Sequence, residues 1–280
     1  MPAASSPTLA DRLAIDRVDV TTDADTVAFV SRHPPDPHHV FGGLLVAQAL
    51  RSAQFTVPEG RDAHSLHASF VRAGIGGQPI HYEVETTRDG ASFCTRRVVA
   101  RQPAVGQSAN EDDVVMVLTA DFHVDEPGLE YEAPATAGIA DPDDLPPSRR
   151  QSRVFESRYV PSVAGPTGMP HVWRSWFRPR VPLADDQQLH LQALVYLSDH
   201  GPSRAAKAPH MGRPRDSIAR TVSLDHSVWL HRPVDVNGWL LFELAPVATG
   251  RGRGLSIGTV RTRDRVLVAT VAQEVLLRPV

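Results

Sequence analysis

The chain has 280 residues, 41% of them hydrophobic and 22% charged, with a formal net charge of −3. That is enough for one large domain or two of ordinary size, and so near-neutral a charge leaves no footprint for nucleic acid or an anionic membrane surface. The one cysteine, Cys94, excludes an internal disulfide and a cysteine metal cluster, and suits a reducing, cytoplasmic setting.

The N-terminal run MPAASSPTLADRLAIDRV lacks the basic start and apolar stretch of a signal peptide, so none is expected. Apolar runs such as VVMVL (Val114–Leu118) fall far short of the roughly 20 residues of a membrane helix. FGGLLVAQALRSAQF (Phe41–Phe55) is apolar nearly all round, with Gln48, Arg51 and Ser52 as exceptions, and predicts a helix buried on most sides. Four strand candidates follow: HSLHASFVRA (His64–Ala73), IHYEVETT (Ile80–Thr87), SFCTRRVVARQ (Ser92–Gln102) and VVMVLTADFHV (Val114–Val124). In IHYEVETT, Ile80, Tyr82 and Val84 alternate with His81, Glu83 and Glu85, the pattern of a half-buried strand.

Proline and acidic residues then cluster from about Asp125 to Pro147, and PSVAGPTGMP (Pro161–Pro170) is irregular again. These read as a linker and divide the chain into residues 1–126, a linker over 127–169, and residues 170–280. The second part opens with a helix candidate, QLHLQALVYLSDHG (Gln188–Gly201). Strand candidates follow at Thr221–Pro233, Gly238–Thr249, Gly254–Arg263 and Arg265–Leu277. The order is one apolar helix and then strands, twice. SLHASFVRA in the first part echoes SLDHSVWLHRP in the second. An internal duplication follows: two α+β units, each a sheet folded against one central helix.

GLSIG (Gly254–Gly258) fits G-x-S-x-G, the nucleophile elbow of serine hydrolases. An elbow follows a strand and opens a helix. Here a turn-like GRGRG precedes it and the strand-like TVRTRDRVLVATV follows. No histidine lies beyond Ser256, so the triad order fails as well. His64 and His67 lie three apart in a predicted strand and point to opposite faces, so no metal site is expected there. Cys94 reads as a core residue.

VFGGLLVAQAL, HSLHASFVRAG, RDGASFCTRRVVARQ, LDHSVWLHRP and VLVATVAQEVLLR together resemble the type II acyl-CoA thioesterases, in order and over most of the chain outside the linker. The resemblance implies a double hotdog, in which each half wraps an antiparallel sheet around a long central helix. It implies hydrolysis of fatty acyl-CoA to free fatty acid and CoA, a reaction of fatty acid metabolism, without a covalent intermediate or cofactor. The family's water-holding trio maps onto Asp199 in YLSDH, Ser223 before LDHS, and Gln273 in the last strand. Gly42 and Gly43, at the start of the first helix, take the place of the backbone donors to the thioester carbonyl. Homodimers or homotetramers follow from the same resemblance.

The sequence departs from the family pattern at PPDPHHV before FGG, at Ala73, and in the basic, proline-rich stretch His200–Ser217. Arg204, Lys207, Arg213 and Arg215 in that stretch are candidates to meet CoA phosphates, or they form a solvated basic loop. Two other functions stay open at this point. One is a non-catalytic acyl-CoA binder. The other is a hotdog hydratase using Asp36 with His38 and His39.

Overall fold

The computed structural model describes residues 7–18, 26–31, 39–102, 113–149, 152–161, 172–210 and 220–278. The first half comprises α1 (Leu9–Leu13), β1 (Asp16–Val18), β2 (Thr26–Ser31), α2 (Gly42–Gln54), β3 (Arg61–Phe70), β4 (Ile80–Asp89), β5 (Phe93–Arg101) and β6 (Val114–Val124). The second comprises β7 (Phe155–Tyr159), β8 (Trp173–Pro179), α3 (Gln187–Ser198), α4 (Pro202–Lys207), β9 (Arg220–Ser223), β10 (Asp225–Leu230), β11 (Leu240–Gly250), β12 (Arg253–Thr262) and β13 (Leu267–Arg278).

Twelve strands form one path, β1-β2-β4-β5-β6-β3-β10-β13-β12-β11-β8-β7, and β9 adds to β13. In each half the strand before the central helix lies outermost of five, and the first strand after it on this path, β3 or β10, lies innermost. The halves repeat each other: β2-β4-β5-β6-β3 mirrors β8-β11-β12-β13-β10. They are fused where β3 pairs antiparallel with β10, from Asp225↔Ser69 to Trp229↔Ser65. This is the duplicated α+β architecture, a double hotdog.

Sequence and structure differ in three places. Strands β2 and β8 carry too few residues of clear alternation to be read from sequence. Residues 127–169 are not irregular throughout, because Phe155–Tyr159 pairs with β8. The predicted strand at Thr221–Pro233 is broken in two at Leu224, whose N–H donates to Glu274 O at 2.9 Å and whose carbonyl accepts from Phe70 N at 2.9 Å.

The two central helices pack against each other inside the wrapped sheets. Their polar exceptions form a buried ladder: Arg51 donates to Gln192 Oε1 at 2.9 Å, and Gln192 donates to Gln54 Oε1 at 2.6 Å. Gln48 donates to Arg12 O at 2.6 Å and accepts from the Tyr82 hydroxyl at 2.7 Å. Burial without solvent makes such satisfied amides specify one helix register. Arg96, 1% exposed, is neutralised by Asp89 at 2.7 Å and also donates to Thr56 Oγ1 and Thr56 O.

The GLSIG stretch lies within β12. Ser256 is fully buried and donates to Pro202 O at 3.1 Å. A Cβ on Gly258 would sit 1.9 Å from Glu243 O on β11, so glycine serves strand packing there. Gly258→Ala is expected to cost about 3 kcal/mol of stability, as overpacking does, read as a lowered urea midpoint. Ser256→Ala is expected to leave the turnover number within about twofold while costing about 1 kcal/mol for the lost hydrogen bond.

Candidate active site

Helix α3 starts conventionally: Asp186 caps it by accepting from Gln188 N and Leu189 N at 3.0 and 3.4 Å. Helix α2 has no side-chain cap, because Phe41 occupies its N-cap position. An α-helix leaves its first N–H groups unpaired. The first turn of α2 is met from the other half of the molecule: Gly43 N donates to Asp199 Oδ2 at 2.8 Å. Asp199 is the residue that ends α3. A Cβ on Gly43 would stand 2.5 Å from Tyr196 O, and one on Gly42 would stand 2.8 Å from Asp199 Oδ2. Only glycine permits so close an approach of the two helix ends.

Gln273, fully buried on β13, also reaches this point. Its amide N–H groups serve the Asp199 carboxylate and Ser223 Oγ, the latter at 2.7 Å. Ser223 is the last residue of β9, just before the break at Leu224. The structure therefore brings together Asp199, Ser223, Gln273, Gly42 and Gly43 from four separate elements. Gly43 N–H, expected as a donor to a substrate carbonyl, here donates to Asp199.

The phrase LDHS builds this corner residue by residue. Leu224 breaks the strand. Asp225 Oδ1 then accepts from Glu274 N at 2.7 Å. His226 Nδ1 lies 2.6 Å from Gln273 Oε1, and Ser227 Oγ lies 3.1 Å from His67 Nδ1. His226 is a site residue that the sequence reading did not single out. Its signal was present in the phrase, but its neighbour across the sheet was not.

Asp199 has amides for partners and little solvent. Desolvation raises its pKa to about 7, against the lowering hydrogen bonds from Gln273 and Gly43. The adjacent His200 is packed on Phe41 and Phe155, with ring centroids 4.4 and 4.5 Å away. Burial drives His200 down to about 3, so it is neutral and offers Asp199 no countercharge. A carboxyl poised near neutral pH is suited to accept a proton in a reaction.

A cavity of about 530 Å³ opens beside the cluster, with Gly42, Leu45, Phe70, Ser223, Leu224 and Arg278 in its walls. A second, of about 580 Å³, lies beyond His200 and is walled by Phe155, Tyr159, Trp173, Phe177 and Arg204. Of the hydratase candidates, His39 lines the first cavity, while Asp36 and His38 lie outside the described residues. Arg213 and Arg215 also lie outside them.

The duplicated fold offers a second, equivalent corner, and it lacks counterparts of the three side chains. Ala63 faces Phe122 on β6 as Ser223 faces Val275 on β13, so Ala63 and Ala120 stand where Ser223 and Gln273 do. Phe55 ends α2 where Asp199 ends α3. Among the described residues the chain carries one such cluster.

Comparison with known proteins agrees with this architecture. The acyl-CoA thioesterase N-terminal domain pattern matches residues 30–123, and the C-terminal domain pattern matches residues 132–277. The chain is 33% identical over 258 residues to acyl-CoA thioesterase 2 of Haemophilus influenzae, covering 85% of this chain and 87% of that one. It is 31% identical over 271 residues to acyl-coenzyme A thioesterase 8 of Rattus norvegicus, covering 87% and 82%. The crystal structure of acyl-CoA thioesterase II TesB2 from Mycobacterium marinum superposes with a TM-score of 0.82 at 33% identity, over 96% of this chain and 98% of that one. A hot dog fold protein from Alicyclobacillus acidocaldarius shares the fold at a TM-score of 0.74 and 20% identity, over 96% and 98%. With both halves matched by the family's two domain patterns and a relative of 33% identity over most of the chain, the chain belongs to the type II acyl-CoA thioesterases.

Proposed function

We propose that the chain hydrolyses acyl-CoA thioesters by direct attack of a water held by Asp199, Ser223 and Gln273. The observation that carries the trio is the convergence of these three side chains on one point, with Asp199 raised to about 7. Asp199 accepts a proton from water as the water oxygen bonds to the acyl carbon. Ser223 and Gln273 orient that water by hydrogen bonds. The C–S bond then breaks, and the proton held by Asp199 passes to the departing thiolate. A thioester is already an activated acyl donor, so positioning plus a carboxylate base suffices.

Developing charge on the carbonyl oxygen is met by the start of α2, whose N-terminal N–H groups and dipole favour an anion. Gly42 and Gly43 allow the carbonyl to come close. Gly43 N–H also holds Asp199, so base and carbonyl site are set by one helix turn. The acyl-CoA reaches this point from the cavity walled by Gly42 and Ser223. The division into residues 1–126, 127–169 and 170–280, with Phe155–Tyr159 of the middle segment joining the second-half sheet, a homodimer or homotetramer, and a cytoplasmic setting belong to the same reading. The described residues contain no helix long and apolar enough to cross a membrane.

Thiol release from a series of acyl-CoA chain lengths is the direct test. Wild type is expected to release CoA and Asp199→Ala to lose at least about 100-fold in the turnover number, the scale of a lost general base. Binding of acyl-CoA by wild type without thiol release refutes the hydrolytic reading. The rate is expected to rise with pH through about 7 as Asp199 ionises.

The same group sets a stability trend. An unfolded aspartate ionises near pH ~4, whereas folded Asp199 holds its proton to about 7. The folded state therefore binds more protons in that window, and stability falls as pH rises from about 4 to about 7. Asp199→Asn cannot ionise, so its urea-unfolding free energy is expected to lose less over that window, by on the order of 3 kcal/mol.

A further inference from the structure

We infer that His226 is a positioning residue that fixes the orientation of the Gln273 amide for the hydrolytic water. The inference rests on the reading of Gln273 as a member of the trio. Ser198, His226 and Gln273 are each fully buried and form a line from the end of α3 to the site. Ser198 Oγ lies 2.7 Å from His226 Nε2, and His226 Nδ1 lies 2.6 Å from Gln273 Oε1.

The direction of each bond follows from donor counting. Gln273 uses its N–H groups on Ser223 Oγ and Asp199, so it is Oε1 that faces the histidine. An amide oxygen only accepts. His226 Nδ1 must then carry a hydrogen. Burial lowers the pKa of His226 to about 4, so the ring is neutral at pH 7 and Nε2 is bare. The Ser198 hydroxyl, also within reach of Val195 O at 2.8 Å, is the group able to donate to Nε2. A buried relay thus runs from Ser198 to His226 to Gln273 and on to Asp199 and Ser223.

The consequence concerns a two-fold ambiguity. Turned over, the Gln273 amide would aim its oxygen at the Asp199 carboxylate and its N–H groups at the histidine. A neutral ring can meet the turned-over amide only by moving its hydrogen from Nδ1 to Nε2, so that the Ser198 hydroxyl no longer donates to it, while the amide oxygen is set against the Asp199 carboxylate. With its hydrogen on Nδ1, His226 holds the Gln273 amide with its N–H groups toward Ser223 and Asp199, the two groups that flank the water.

The test compares His226→Leu, His226→Asn and His226→Gln in otherwise intact protein and in a Gln273→Ala background, with folding checked by circular dichroism. Asn can place an amide N–H where Nδ1 is, whereas Gln places it where Nε2 is. His226→Leu is expected to lower the turnover number about tenfold or more with KM little changed, the scale of a misplaced group. His226→Asn is expected to restore most of the rate and His226→Gln little of it. In the Gln273→Ala background a His226 substitution is expected to cost no more than about twofold further, because residues acting as a unit are non-additive. Equal rates for the Asn and Gln variants, or full multiplication of the losses in the double variant, would overturn the inference while leaving the trio intact. If His226→Leu does not fold, the Asn and Gln pair decides alone. An unchanged turnover number in Gln273→Ala itself would remove both the trio assignment and the role of His226.

Discussion

The first turn of α2 is closed by a carboxylate from the other half of the molecule. The sequence supplies no N-cap side chain at Phe41, and a helix start without partners is costly inside a protein. Asp199 fills that vacancy at 2.8 Å from Gly43 N. Much else follows from this contact. It requires glycine at the start of α2, where a Cβ would strike Tyr196 O. It requires α3 to end at the same level, and it ties the two halves together at the corner where Asp199, Ser223 and Gln273 meet.

The same contact anchors Asp199 without a full countercharge. Its hydrogen bonds come from amides, which hold it without supplying a full positive charge. Desolvation then outweighs them and the pKa rises to about 7. A paired arginine at this place would depress the pKa and make a structural ion pair, as Arg96 does with Asp89. The buried guanidinium groups of Arg96 and Arg261 lie elsewhere, and the Asp199 corner has neutral partners: a histidine at about 3, another at about 4, an amide and a hydroxyl.

Duplication gives the molecule two equivalent corners, and among the described residues one of them carries the Asp199, Ser223 and Gln273 cluster. Ala63, Ala120 and Phe55 occupy the other, the two alanines buried and Phe55 exposed. The second half also carries α4 and β9 between its central helix and β10, which the first half lacks. The two corners differ as well in the side chains at matching strand positions, so the fold is a frame on which they are set.

Much of this was legible in the residues. The period-2 burial of Ile80, Tyr82 and Val84 and the wholly apolar helices follow from local patterning, because strand and helix geometry repeat over short spans. The repeated order of helix and strands, and the phrases around Asp199, Ser223 and Gln273, pointed to the double hotdog and to the family. Local chemistry also disposed of GLSIG, since an elbow needs a helix after it. Tertiary structure alone decided the rest. Residue spacing could not show that Leu224 splits a strand, that Phe155–Tyr159 joins the sheet, or that Asp199 caps the helix of the opposite half. Those outcomes depend on pairings between residues far apart in the chain: Leu224 with Glu274, Gly43 with Asp199, His226 with Gln273. Distance in space and loss of solvent set a buried group's partners and its pKa, and neither is a property of a sequence read one segment at a time.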